Sequence, residues 1–138
     1  MYVPFEKTKD GFESQIAVNF WGHTLLTHLL LPQLIAGSNK TESSFSRIVN
    51  VSSCANECGK IDYDDANMEQ HYHPGIQYGN SKLAQILFSN HLDKVCRDNG
   101  IKLQSNCVHP GVVDTEIFHS VPIFSSLNFV RRFLLKVR

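Results

Sequence analysis

Arg47-Ile-Val-Asn-Val-Ser52 is a short run rich in β-branched residues between polar neighbours, and it predicts a strand. Upstream, Asp10-Gly-Phe-Glu13 has the spacing of a capping box, with Asp10 as the cap and Glu13 answering it. Phe12, Ile16, Phe20, Leu25, Leu26, Leu29 and Leu30 then recur at three- and four-residue steps, which predicts a helix ending at Pro32 and Gly37. Residues 38–46 have no apolar period and read as a loop. Downstream of the strand, residues 54–75 hold Gly59, Pro74 and scattered Asp, Asn and His. They predict a long loop, of a length that is uncommon unless it serves a function.

A second helix is predicted from about Ile76 to Asn99, with Leu83, Ile86, Leu87, Leu92 and Val95 on one face and Asn99-Gly100 as its stop. Residues 101–108 predict a second strand, ended by Pro110-Gly111. The tail from Val121 to Arg138 is amphipathic, setting Ile123, Phe124, Leu127, Val130, Phe133 and Leu134 against Arg131, Arg132, Lys136 and Arg138. Helices alternating with apolar strands imply an α/β fold, an open parallel sheet covered on both faces. Two parallel strands alone have two open edges and little area to cover, so such a sheet is expected to be marginal by itself.

The chain has 138 residues, room for a single domain. At 42% hydrophobic and 19% charged it is globular in composition. Thirteen basic and thirteen acidic residues give no net charge, which excludes a surface built mainly to neutralise nucleic-acid phosphates. Four cysteines are too sparse for a disulfide scaffold, and with no signal peptide ahead of them they imply a reducing, intracellular setting. The longest apolar stretch, Thr24 to Ala36, is broken by His28, Pro32 and Gln33 and is too short to span a bilayer.

Tyr78-Gly-Asn-Ser-Lys82 sets a phenol and an ammonium four apart, on one face of the second helix. An unperturbed phenol ionises near pH 10, so acid–base use near neutrality needs the anion favoured by about 4 kcal/mol, which a nearby cation helps supply. Alone the pair is weak, because a Tyr and a Lys at this spacing often arise by chance on a solvated helix face. Ser53, however, stands at the carboxyl end of the first strand, where open α/β sheets collect their ligands. A hydroxyl there either closes a local turn or donates to a substrate oxygen. His109-Pro-Gly-Val-Val-Asp-Thr115 follows the second strand in the same way, and by itself would be an ordinary strand-ending turn. Asn19 is a mediocre helix former within the first helix, and periodicity alone makes it a polar residue at a packing boundary.

Val18-Asn19-x-x-Gly22-His23-x-Leu-Leu-Thr27, Arg47-Ile-Val-Asn-Val-Ser-Ser53, Tyr78-x-x-Ser-Lys82-Leu-Ala84 and Pro110-Gly111-Val-Val-x-Thr115 resemble, in order, the signatures of the short-chain dehydrogenase/reductases. The resemblance runs from Val3 to about residue 120. It is greatest to the retinol dehydrogenase-like branch, which Val3-Pro4-Phe5-x-Lys7-Thr8-x-Asp10-Gly11-Phe12-Glu13 also matches. The interval from Ser53 to Tyr78 is longer than in many members. The resemblance implies the second half of a Rossmann-type, doubly wound parallel sheet, with 1–138 as one partial domain and 121–138 as the start of a lid over the substrate.

The resemblance also implies the roles. Tyr78 would be the general acid–base, Lys82 would lower its pKa and hold the nicotinamide ribose, Ser53 would fix the substrate oxygen, and Asn19 would hold a water linking Lys82 to solvent. Pro110, Gly111, Val113 and Thr115 would meet the nicotinamide end, with Thr115 near the carboxamide. The cofactor would be NAD(P), with NADP(H) favoured, and the substrate a small apolar alcohol or carbonyl compound of retinoid, steroid or polyprenoid type. A homodimer of a longer parent, contact with a membrane surface, and a cytoplasmic or endoplasmic-reticulum location are the associated expectations.

The family's opening strand, its Thr-Gly-x-x-x-Gly-x-Gly turn and its Asn-Asn-Ala-Gly element do not occur in these 138 residues. The family also continues beyond the point matched by residue 138. Several strands and the phosphate cradle are therefore expected to lie outside this chain, which alone is expected neither to bind NAD(P) measurably nor to turn over substrate. A catalytically inactive fragment or isoform acting through association is the alternative. From another class, Cys54-x-x-x-Cys58 with His71-x-His73 would suit zinc, but the histidine spacing is tighter than usual and no metal is assigned. The basic tail would otherwise lie on a membrane surface rather than over a substrate.

Overall fold

The computed structural model describes residues 2–40 and 44–111. A continuous helical rod opens it: α1 (Ser14–Ile16), a π-helical turn (Ala17–Trp21) and α2 (Gly22–Ser38). Then come β1 (Ser46–Val51), a 3₁₀ turn (Cys54–Cys58), α3 (Pro74–Asp98) and β2 (Leu103–Val108). β1 and β2 pair in parallel with Ser46 opposite Leu103 and Val51 opposite Val108. The expected helix–strand–helix–strand order is present, and the tail from 121 to 138 lies outside the described residues.

The rod begins differently from the capping expectation. Glu13, not Asp10, is its N-cap: its carboxylate accepts from the N–H groups of Gln15 and Ile16, both at 3.0 Å. Asp10 instead sits in a turn that Gly11 closes with φ +82°, and this turn brings Lys7 into a bridge with Glu13. Pro32 does not end the rod either. It lies inside α2, which runs on to Ser38. A mid-helix proline gives up one hydrogen bond to the carbonyl four residues back. Here that carbonyl belongs to His28, an exposed residue that water can reach.

α3 is capped by His73, whose Nδ1 accepts from Ile76 N–H at 3.2 Å, and has Pro74 in its first turn, where its missing N–H costs nothing. Its far end closes with Gly100 at φ +66° while Ile101 N–H returns to the Cys96 carbonyl at 2.8 Å.

Alternation along the strands decides where the core lies. Asn50 faces α3 together with Leu103 and Ser105, and Ser105 Oγ meets Ser89 Oγ of α3 at 2.8 Å. Ser46, two pairs back on that face, donates to the Leu34 carbonyl of α2. Both helices therefore lie on one side of this two-stranded part of the sheet. The opposite face carries Val49 and Val51, each more than half exposed, and Val108. α2 also presents Leu25, Leu26, Leu29 and Leu30 to solvent.

Candidate active site

β1 delivers Ser52 and Ser53 to the carboxyl edge of the sheet, where α3 passes. Ser52 Oγ donates to the Lys82 carbonyl at 3.0 Å and its N–H to the Val108 carbonyl at 2.8 Å, tying β1, α3 and β2 at one point. Ser53 caps the 3₁₀ turn: its Oγ accepts from Ala55 N–H at 3.2 Å and its carbonyl accepts from Asn56 N–H at 3.0 Å. Its hydroxyl lies close enough to the phenol of Tyr78 to favour the phenolate. Tyr78 is 8% exposed, in the first turns of α3.

Burial pushes the Tyr78 phenol above its ordinary pKa; the nearby Ser53 hydroxyl draws it back, and Cys54 pushes it up further. Lys82 Nζ lies 5.7 Å from the centre of the Tyr78 ring, over its face rather than against its oxygen. It donates to the Val51 carbonyl at 3.0 Å and to Gln85 Oε1 at 3.3 Å. Burial also holds the Lys82 ammonium below its usual pKa.

Asn19 falls within the π turn, where an extra residue per turn frees a carbonyl from the regular ladder. That carbonyl accepts from Gln85 Nε2 at 2.7 Å and from His23 Nδ1 at 2.9 Å. The Asn19 side chain donates to Ser81 Oγ at 3.0 Å, and Ser81 donates to the Tyr78 carbonyl at 2.7 Å. Tyr78, Lys82 and Asn19 are therefore one network, with Ser53 beside its phenol. Gln85, absent from the sequence expectations, and Ser81, quoted there in the motif but given no role, are its connectors. Gln85 stands three residues after Lys82, so helical spacing already put it on the same face.

Pro110 and Gly111 follow β2 at the same edge, and Gly111 adopts φ +77° with open space where a side chain would stand. Val113 and Thr115 lie outside the described residues.

The long loop is held from both sides. Asn67 Oδ1 accepts from Glu13 N–H at 2.9 Å, and Lys7 pairs with Glu69 at 2.7 Å. Tyr72 donates to the Val3 carbonyl at 2.9 Å and receives Gln15 Nε2 at 2.9 Å. Burial, and then the Glu13 carboxylate, push the Tyr72 phenol up to about 12. From α3, Asn80 Oδ1 accepts from Lys60 N–H at 2.6 Å and Gln77 donates to the Ala66 carbonyl at 3.1 Å.

Cys54 and Cys58 are free and exposed, and among the described residues no group of three or more His, Cys, Asp or Glu is placed to hold a metal ion. A groove of about 490 Å³ between α3 and β2 is lined by Asp93, Arg97, Ser105, Cys107 and His109 among others, and does not include Tyr78, Ser53 or Lys82.

A hydroxyl, a phenol and an ammonium come together at the carboxyl edge of a parallel sheet on a partial Rossmann-type α/β scaffold. The family model for short chain dehydrogenases matches residues 3–123, and the chain belongs to that family. Members are oxidoreductases that in general use NAD(P)(H). Human retinol dehydrogenase 11 is 46% identical over 117 residues, 85% of this chain and 34% of that protein. Human polyprenol dehydrogenase is 39% identical over 121 residues, 88% of this chain and 36% of that protein. The crystal structure of an uncharacterised protein from Mycobacterium paratuberculosis superposes with TM-score 0.72 at 39% identity, covering 87% of this chain and 41% of that one. This chain spans about a third of the length of the curated relatives it matches.

Proposed function

We propose that this chain carries the proton-handling half of an NAD(P)-dependent oxidoreductase acting on an apolar alcohol, aldehyde or ketone of retinoid, steroid or polyprenoid type. The supporting observation is that Ser53, at the carboxyl end of β1, stands beside the Tyr78 phenol, with Lys82 one turn further along α3 and its Nζ 5.7 Å from the centre of the Tyr78 ring. Retinol and polyprenol dehydrogenases among the relatives support the substrate class. The nicotinamide, when bound, supplies or accepts the hydride.

The chain's own residues handle the oxygen. In reduction the Tyr78 phenol gives its proton to the carbonyl oxygen; in oxidation it takes the hydroxyl proton. Burial keeps the phenol protonated near neutrality, the form that reduction needs. Ser53 donates to the same oxygen as charge grows on it. An ammonium has three donors. Two of those on Lys82 go to Val51 and Gln85, which leaves one for a ribose hydroxyl. The open space at Gly111 suits a flat ring passing close to backbone. The residues present therefore fit the nicotinamide-ribose end. Val113 and Thr115 would complete it, and no Gly-rich turn for the phosphates occurs in these 138 residues. Asn19 reaches Lys82 through Gln85, and a water at its carbonyl would extend that line to solvent beside the exposed His23.

Among the described residues no helix is long and apolar enough to cross a membrane. We place the protein inside the cell, in the cytoplasm or at the endoplasmic reticulum, with the basic segment 121–138 as the part that would touch a membrane. The test is turnover of retinol or a polyprenol with NADP⁺ by a protein that joins this chain to a family phosphate-binding segment. Tyr78→Phe is expected to lower it about 10²–10⁴-fold, and retained activity would overturn the assignment. The chain by itself is expected to show no saturable NADPH binding in calorimetry. A second reading, an inactive chain acting through association, draws support from the exposed apolar residues of α2 and β1. It predicts a stable complex in sedimentation without turnover.

A further inference from the structure

Gly79, the residue after Tyr78, and Gly59, just past the 3₁₀ turn, are pressed backbone to backbone. A methyl group on Gly79 would lie 2.6 Å from the Ala55 carbonyl oxygen and 3.2 Å from the Gly59 nitrogen. On Gly59 it would lie 2.9 Å from the Gly79 carbonyl oxygen. Neither glycine has a positive φ, so the backbone conformation would accept alanine at both places. What excludes a side chain is the neighbour, and the neighbour is main chain that cannot swing aside.

The turn pressed against Gly79 is the one that Ser53 caps. Ala55 joins the two contacts: its carbonyl touches Gly79, and its N–H is donated to Ser53 Oγ at 3.2 Å. Asn56 holds the Ser53 carbonyl from within the same turn. With Ala55 N–H occupying a lone pair of Oγ, the Ser53 proton remains available for a neighbouring oxygen. Real Cβ atoms essentially never come within 3.0 Å of such atoms. A methyl at Gly79 would therefore lift the turn by about 0.5 Å, which is the tolerance within which catalytic groups must be held.

We propose that Gly79 is a positioning residue: its contact with Ala55 and Gly59 seats the 3₁₀ turn on α3 and thereby holds the Ser53 hydroxyl in place beside Tyr78. This rests on the acid–base reading of Ser53 and Tyr78, yet the geometry it invokes does not depend on hydride transfer. Gln77 and Asn80, on either side, hold later parts of the same loop and extend the seat. The dependence on Gly79 is specific to the turn at Ser53.

The test is the ionisation of Tyr78 in the 138-residue chain, followed by fluorine NMR with fluorotyrosine at that position to bring its titration toward neutrality. Ser53→Ala removes a donor to the phenolate and is expected to move the titration upward. Gly79→Ala is expected to move it upward by the same amount, and the double variant no further than either single one. An unchanged titration in Gly79→Ala, or additive shifts in the double variant, would overturn the proposal. Asn56→Ala loosens the turn without adding bulk and is expected to shift in the same direction; no shift there counts equally against it. Gly75→Ala is the control, since the atoms nearest its methyl would belong to the side chains of His73 and Tyr2, and no shift is expected. A shift matching that of Gly79→Ala would reduce the effect to a general softening of α3 and sink the idea. Retained turnover in Tyr78→Phe would remove the acid–base reading and leave these titrations standing, whereas additive shifts would remove Gly79 alone.

Discussion

α3 buries Gln77, Asn80, Ser81, Gln85 and Ser89, whereas α2 leaves Leu25, Leu26, Leu29 and Leu30 in contact with solvent. Hydrophobicity alone would order the two helices the other way. Polar groups go inside α3 because each finds a partner there: Gln77 the Ala66 carbonyl, Asn80 the Lys60 N–H, Ser81 Asn19, Gln85 both Asn19 and Lys82, and Ser89 Ser105. A satisfied polar network fixes a single arrangement, and that is what a site needs. The α2 leucines have no such network, and nothing among the described residues covers them.

Three changes would break or sharpen that contrast. Ser81→Leu should have the largest effect, because it puts a branched side chain at a site with no free volume and removes the partner of the Asn19 amide. It is expected to cost about 3 kcal/mol, enough to collapse cooperative unfolding in urea. A normal melt would mean that α3 is less closely packed than described.

A smaller, pH-dependent effect is expected at Tyr72. Its phenol ionises near pH 10 in the unfolded chain but is pushed up to about 12 in the folded one. Between these values the folded state binds more protons, so the stability Tyr72 contributes is complete below pH 10 and is lost as pH rises toward 12. The urea midpoint should fall across that window, and Tyr72→Phe should flatten the fall. An equally steep fall in the variant would place its cause elsewhere. The least effect belongs to Leu29→Lys on α2. Leu29 is 65% exposed, and its replacement should change stability by no more than about 0.5 kcal/mol while reducing self-association in light scattering. A larger loss of stability would show that the α2 leucines are covered in solution.

The contrast also explains what could be read from sequence. β1, β2 and the span of α3 follow from β-branched runs and the Asn99-Gly100 stop, since both signals are local. Ser53, Tyr78 and Lys82 were legible because strand end and helix spacing bring them together. The α2 leucines gave the helix correctly but not its exposure, because a period reports which residues share a face and not what faces them. The capping-box spacing made Asp10 the cap in sequence, but the turn closed by Gly11 sets Asp10 aside and Glu13 caps the rod. The order in residues 59–73 was hidden, because bonds from Asn67 to Glu13 and from Tyr72 to Val3 leave no periodic trace.

The π turn at Ala17–Trp21 has a consequence for how the chain tolerates length change. Such a turn is an α-helix carrying one surplus residue. Removing a single residue there would restore the ordinary ladder and keep α1 and α2 in phase, where the same deletion elsewhere in the rod would rotate one end against the other by about 100°. The helix would survive, but the carbonyl offered to Gln85 and His23 would be drawn back into the ladder. This is the place along the rod where a lost codon would spare the scaffold and disconnect Lys82.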